Sequence, residues 1–384
     1  MSEPSFEFRT VPHLVCRPGA AADLATVLPA DDLASALVVT DAGVRAAGLT
    51  AGAEASLAAA GLGVAVYDGV VADPPERVVY EALAAARSAG ADLVVGLGGG
   101  SSLDVAKLVA VLLSLPAGTE LAQIYGLDLV PGPRTVPLVQ VPTTAGTGSE
   151  VTAVAVVTAG EEVKLGVNSP QLLADVALLD ADLTLSLPPH VTAHTGIDAM
   201  VHAIEAYTSK QRKNPLSDAL AVEALRLLKA NVARACEDGS DRAARGAMLL
   251  GANLAGQAFS NAPVAAVHAL AYPVGGRFHV PHGLSNALVL PHVLRFNGRT
   301  HAAAYRGLEA VFEADDDEAV PAMAEWFEAL SARLGVERRL REVGIGEEDL
   351  SWMAESAMQH TRLLVNNPCE VSEADALAIY RSAW

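Results

Sequence analysis

The residues best placed to do chemistry in this sequence lie between positions 190 and 292. TGIDAMVHAIEAY (195–207) has a helical pattern and sets Asp198 and His202 four residues apart. That spacing puts them on one helix face, where both can reach a single ion. Taken alone, the pair is as readily a structural polar contact. VHALAYPVGGRFHVPHG follows from position 267 and adds His268 and His282, separated by Pro and Gly. One carboxylate with three imidazoles suits a first-row divalent metal, and such a set can admit a substrate oxygen. A lone His268 would ordinarily be a satisfied core histidine, so the combination carries the inference. His190, His194, His279 and His292 fall near the same segments. Spacing therefore leaves open a ligand set in which His279 replaces His268 or His282. Cys16, Cys236 and Cys369 are scattered with no CxxC pair, so neither a disulfide framework nor a thiolate zinc site is expected.

A second kind of chemistry is suggested earlier in the chain. GLGGGSSLDVAK (96–107) follows a strand-like run and opens a helical one. Glycines allow close approach of a pyrophosphate, and a helix N-terminus presents free N–H groups with a positive dipole end. Ser101 and Ser102 can cap that helix or donate to phosphate. An ordinary tight turn would not need three consecutive glycines, although the spacing is not the GxGxxG dinucleotide fingerprint. VPTTAGTGSEVT (141–152) is a second glycine- and hydroxyl-rich loop after a strand, suited to a nucleotide but weaker by itself. VVTD (38–41) ends another strand in an acid. Asp41 there can hold ribose hydroxyls and repel a 2′-phosphate, or simply cap the next helix.

These candidates need a scaffold, and the two halves of the chain differ in texture. Up to about residue 185, β-branched runs (35–40, 64–67, 92–97, 136–142 and 176–180) alternate with helical stretches such as PERVVYEALAAARSAG at 75–90. Buried strands separated by helices predict a parallel sheet covered on both faces. After LSLPP (185–189) only helices are expected, among them 216–238 and 322–335. The predicted organisation is an α/β nucleotide-binding domain over 1–187 and an all-helical domain over 188–384. With 384 residues there is ample chain for two cores. No apolar run approaches the roughly 20 residues of a membrane span. MSEPSFEFRT lacks the order of a signal peptide, so a cytoplasmic protein is expected. The net charge of −19 argues against a nucleic-acid partner.

Four segments in order, GGGSSLDVAK, VPTTAGTGSEVT, TGIDAMVHAIEAY and VHALAYPVGGRFHVPHGLSNALVLPHV, resemble the motifs of the iron-containing (group III) alcohol dehydrogenases. The resemblance runs through to the closing NNPCEVSEADALAIYRSAW. It implies the dehydroquinate synthase-like fold of that family, with the active site in a cleft between the two domains. It implies Asp198, His202, His268 and His282 as metal ligands, iron being usual and zinc or another divalent metal occurring. It also implies NAD as cofactor, with Gly98, Gly99, Gly100 and Ser101 at the pyrophosphate and Asp104 in the same motif. Thr143, Thr144, Thr147 and Ser149 match the loop beside the nicotinamide and phosphates, Lys164 a cofactor-site lysine, and Asp41 the NAD-preferring acid. The implied activity is hydride transfer between a short-chain primary alcohol and NAD, with the substrate oxygen on the metal. A homodimer or larger homo-oligomer is implied as well.

One departure bears on the substrate. Many alcohol-reducing members carry a proton-relaying histidine at the position of Tyr272. A tyrosine, with an ordinary pKa of about 10, is a poorer relay at neutral pH. Tyr272 and His279 are thus the candidate catalytic side chains. A hydroxy acid or semialdehyde dehydrogenase (4-hydroxybutyrate-like) or a hydroxyacid–oxoacid transhydrogenase is the alternative reading. A maleylacetate reductase or lyase-type relative fits the ligand set and its context less well.

Overall fold

The computed structural model describes residues 5–160, 163–315 and 318–384. The described residues divide into two compact units, one of Arg9–Ser186 and one of Leu187–Trp384 together with residues 5–8.

The Arg9–Ser186 unit is built on strands β1 (His13–Cys16), β2 (Ser35–Asp41), β3 (Gly63–Val70), β4 (Leu93–Gly98), β5 (Gly126–Leu127), β6 (Leu138–Pro142), β7 (Val154–Ala159), β8 (Val163–Asn168) and β9 (Val176–Leu179). Six form one sheet in the order β1-β9-β6-β4-β2-β3, and every pairing in it is parallel. Successive residues of a strand point to opposite faces, and the core follows that alternation. Leu37, Val39 and Val94 pack on one face with the Glu76–Ala89 and Gly100–Ser114 helices. Ala36, Val38 and Val95 pack on the other with Leu24, Ala53 and Leu57. Both faces are covered, which is why these strands read as continuous apolar runs.

Strand order decides where a ligand can sit. From β2 the chain moves outward to β3, then returns to place β4 on the opposite side of β2. In an open parallel sheet, the crevice at such a reversal, at the carboxyl ends of the strands, is the ordinary ligand position. The carboxyl ends here are Asp41 on β2 and Gly98 on β4.

A feature absent from the sequence-based expectation is a second, three-stranded sheet, β5-β8-β7, in which β7 and β8 are antiparallel. VAVVTA lacks a polar alternation because the outer positions of β7 are themselves half-buried, so its period is hidden. The edge strand β1 escaped for the opposite reason, being largely exposed.

The Leu187–Trp384 unit has no strand among the described residues. Its central helix, Pro189–Thr208, opens with Pro at the first turn, where no N–H is missed. From Gly196 to Ala206 every residue of that helix is buried, so other helices surround it. Pro215–Glu237 starts from an Asn214 capping box. Arg242–Asn261, Ala266–Phe278, His282–His301, Ala319–Leu334 and Glu373–Ala383 complete the main helices. No helix among the described residues is long and apolar enough to cross a membrane.

Candidate metal centre and nucleotide turn

In the helical unit, Asp198 and His202 project from one face of Pro189–Thr208, as their spacing predicts. His268 stands in the first turn of Ala266–Phe278, and His282 opens His282–His301. Packing brings one ligand atom from each of the four within 4.8 Å of the others. Asp198 Oδ1 lies 3.8 Å from His202 Nε2, 3.8 Å from His268 Nε2 and 3.7 Å from His282 Nε2. Ligand atoms on a tetrahedron with bonds of about 2.1 Å are about 3.4 Å apart, so the set is slightly wider than a closed shell. Only His282 is appreciably exposed.

The immediate surroundings fit a cation. A buried carboxylate without compensation is costly. For Asp198 burial would raise the carboxyl pKa, but His202, His282 and His268, with the Asn286 amide, hold it below the usual range. Asn286 Nδ2 donates to Asp198 Oδ1 at 2.7 Å and lies 3.3 Å from His268 Nε2 and 3.4 Å from His282 Nε2. A single N–H₂ group thus faces three inward-pointing acceptors, the role a cation fills better. Its own Oδ1 is buried with no hydrogen-bond partner. The helices meet closely here because Gly283 has no side chain: a Cβ would lie 2.3 Å from the His194 carbonyl oxygen.

Sequence reasoning missed the partners behind the ligands. Glu205, buried, accepts from the Val267 N–H at 2.6 Å and pairs with His268 Nδ1 at 2.6 Å. Burial would lower the His268 pKa, but the Glu205 charge and hydrogen bond, with Asp198, raise it. Phe259 stacks on His202 at 4.3 Å. Glu205 follows His202 by one helical step and Asn286 follows His282 by one turn, so the i, i+3 and i, i+4 rule could have flagged both.

The two candidate catalytic side chains part company. Tyr272 lies beside the cluster, its ring 6.3 Å from that of His282 and 4.7 Å from that of His360. Burial, with the Asp198 and Glu205 charges, pushes its hydroxyl up to about 12 against the opposing Arg362. His279 is exposed at the end of Ala266–Phe278 in a left-handed conformation and is not among the four converging residues. The ligand set containing His279, left open by spacing, is not the one the fold assembles. His190 and His194 pair edge-on with each other instead.

In the α/β unit, the turn after β4 is packed so tightly that side chains are excluded. A Cβ at Gly98 would meet Ser102 Oγ at 2.7 Å, and one at Gly100 would meet Thr147 Cγ2 at 2.8 Å. Gly99, the N-cap of the following helix, leaves its N-terminus without a side-chain cap, with Ser101 half-buried in the first turn. Thr143 N–H donates to the Gly98 carbonyl, and Thr144 approaches Gly99. Asp41 caps its own helix by accepting from the Gly43 and Val44 N–H groups through Oδ1, while Oδ2 faces Gly98. The capping reading of Asp41 is thus what the structure shows directly.

Asp104 and Ser149 are used differently from Thr143, Thr144 and Thr147. The fully buried Lys107 ammonium donates to Ser149 Oγ at 2.8 Å, Thr152 Oγ1 at 3.1 Å and the Val154 carbonyl at 2.6 Å, and pairs with Asp104 at 3.3 Å. Asp104 in turn accepts from Ser149 Oγ and the Val156 N–H. This network braces the hydroxyl-rich loop against the Gly100–Ser114 helix. Burial pushes the Lys107 ammonium below the usual lysine range, opposed by Asp104. Lys164, on β8, pairs with Asp73 at 2.6 Å.

Comparison with known proteins matches both units. Residues 12–181 match the family model described as iron-containing alcohol dehydrogenase, and residues 192–384 that of the Fe-containing alcohol dehydrogenase family, C-terminal. The chain belongs to the iron-containing alcohol dehydrogenase family. Long-chain-alcohol dehydrogenase 1 of Geobacillus thermodenitrificans is 43% identical over 91% of this chain and 89% of its own length. The crystal structure of a 1,3-propanediol oxidoreductase superposes with a TM-score of 0.93 at 34% identity, covering 99% of this chain and all of that one. A sulfoacetaldehyde reductase from Bifidobacterium kashiwanohense, solved in complex with NAD+, gives a TM-score of 0.88 at 27% identity, with 99% of each chain covered. This iron-containing alcohol dehydrogenase family member is thus an enzyme of alcohol and aldehyde oxidation–reduction.

Proposed function

We propose that the chain interconverts a short primary alcohol and its aldehyde using NAD(H) and a divalent metal, iron by family kinship. The observation that carries the reading is the convergence of Asp198, His202, His268 and His282 within 4.8 Å. These four would hold the metal, and His282, the most open of them, would border the approach for substrate. A divalent ion supplies electrophilic polarisation of a carbonyl or alcohol oxygen, and a nicotinamide supplies or accepts the two electrons. The chain's own residues then bind and orient. The uncapped helix N-terminus behind Gly98–Gly100 suits a pyrophosphate, with Ser101, Thr143, Thr144 and Thr147 around it. Asp104 and Ser149 would act through the bracing network. Asp41 Oδ2 would accept from ribose hydroxyls and repel a 2′-phosphate, favouring NAD over NADP. Lys164 is assigned to the cofactor on resemblance. Tyr272 keeps its proton at neutral pH and would donate a hydrogen bond beside His282.

A second reading, a short hydroxy acid or semialdehyde as substrate, is favoured by what adjoins Tyr272. His360 packs on its ring, and the Arg362 charge acts on its hydroxyl, a setting able to receive an acid group. An NADH-oxidation screen of short aldehydes, semialdehydes and 2-oxo acids, with iron or zinc added, separates the two. Asp198→Ala and His282→Ala are expected to lose bound metal and activity together; undiminished turnover by either would refute the site.

A further inference from the structure

We infer that Glu205 is the positioning residue that makes His268 a metal ligand, an inference resting on the four-ligand reading above. Its side chain belongs to the same helix as Asp198 and His202, yet both its oxygens are spent on a different helix. Oε1 accepts from the Val267 N–H at 2.6 Å, and Oε2 lies 2.6 Å from His268 Nδ1, where a carboxylate, having no proton to give, calls for Nδ1–H.

The first contact replaces a missing cap. Ala266–Phe278 begins after Ala265, which offers no side-chain acceptor, so the N–H groups of its first turn lack a partner of their own. A carboxylate at that end satisfies the Val267 donor and complements the helix dipole. The second contact selects a tautomer. With Nδ1 donating to Glu205, the His268 lone pair is on Nε2, the atom that faces Asp198 at 3.8 Å. One side chain therefore fixes both the backbone that carries His268 and the direction of its donor atom. Glu205, His268 and Asp198 are all buried, which shields these contacts from bulk solvent. Charge points the same way: Asp198 and Glu205 together carry two buried negative charges, which balance one divalent ion.

The test is metal affinity in Glu205→Gln and Glu205→Ala, measured on chelator-stripped protein by competition with a zinc-binding dye, alongside melting of the metal-free form. Glutamine has nearly the same shape, but its single acceptor oxygen can take the place of only one of the two oxygens that meet the Val267 N–H and His268 Nδ1. If its amide N–H₂ faces Nδ1 instead, the His268 proton is driven to Nε2 and the ligand is blocked. Loss of an outer-shell partner typically weakens binding about 10–100-fold, and that loss is expected for Glu205→Gln with a folded metal-free protein. Glu205→Ala should lose at least as much. Zinc affinity of Glu205→Gln within about twofold of the parent overturns the inference, whether or not the alanine variant folds. Asp198→Ala in the same assay separates the levels: if it keeps parental affinity, the four-ligand reading itself fails and takes the Glu205 role with it.

Discussion

Gly283→Ala is the sharpest perturbation of the candidate metal centre that replaces none of its four converging side chains. A Cβ there would lie 2.3 Å from the His194 carbonyl oxygen and 2.7 Å from its carbonyl carbon. Non-bonded contacts of this kind settle near 3.5 Å, so the helices must part by about 1 Å. The obstacle is backbone in the second turn of Pro189–Thr208 and cannot rotate away. Overpacking of this order costs about 1–3 kcal/mol. For a unit of roughly 200 residues, about 2 kcal/mol lowers Tm by roughly 4–8 °C. The larger effect is on the metal. His282 directly precedes Gly283 and moves with it, whereas metal–ligand distances tolerate only about 0.2 Å. A misplacement of about 1 Å at a reacting centre can cost on the order of 100-fold, and a loss of 10–100-fold in zinc affinity is expected. Chelator competition with thermal melting of the metal-free protein measures both. A Gly283→Ala protein with parental affinity and Tm would refute the claim that this close crossing holds His282 against Asp198.

Asp41→Asn keeps the side-chain oxygen that caps Gly43 and Val44 while removing the charge. The NAD over NADP preference in kcat/KM is expected to shrink at least about tenfold, with Tm little changed; a parent enzyme that prefers NADP contradicts the assignment. Lys107→Met removes the ammonium that joins Ser149, Thr152, Val154 and Asp104. Breaking such a buried set costs about 3 kcal/mol, and the loosened loop should raise KM for NADH more than it lowers kcat. Equal KM values for variant and parent would remove the bracing role. His292 is held near 4 by burial, then by Arg295, against the opposing Glu328. The unfolded chain therefore binds a proton first, near the ordinary value of 6.5. Stability is full above that value and falls as pH drops from about 6.5 toward 4, by at most about 3 kcal/mol. His292→Leu should flatten this part of the Tm–pH curve, and an unchanged slope would exclude the residue.

Much of the scaffold was legible because its signals are local. The runs at 35–40, 92–97 and 176–180 are short and apolar between helical stretches, and they became β2, β4 and β9. TGIDAMVHAIEAY put Asp198 and His202 on one face through helical spacing alone, and only the later histidines pointed that face at a metal. The β7–β8 sheet was not legible, because half-buried outer positions erased its alternation. Glu205 and Asn286 lay inside motifs already singled out, and helical spacing sets them beside His202 and His282, but that spacing does not report which side chain each meets across a helix interface.

The sequence by itself determined the residue types and their short-range placement: Asp198 with His202 on one helix face, glycines between β4 and its helix, an acid closing β2. Only the tertiary structure decided which histidines join them. His268 reaches Glu205 across 63 residues, and Asn286 reaches Asp198 across 88. Those meetings depend on helices crossing where Gly283 lets His194 come close; in the α/β unit, strand order likewise sets Asp41 beside Gly98. His279 differs from His282 by only three positions, yet it ends one helix in solvent while His282 begins the next against Asp198. Periodicity acts over a few residues, whereas convergence is a property of packed surfaces, and it is packing that separates the converging histidines from the bystanders.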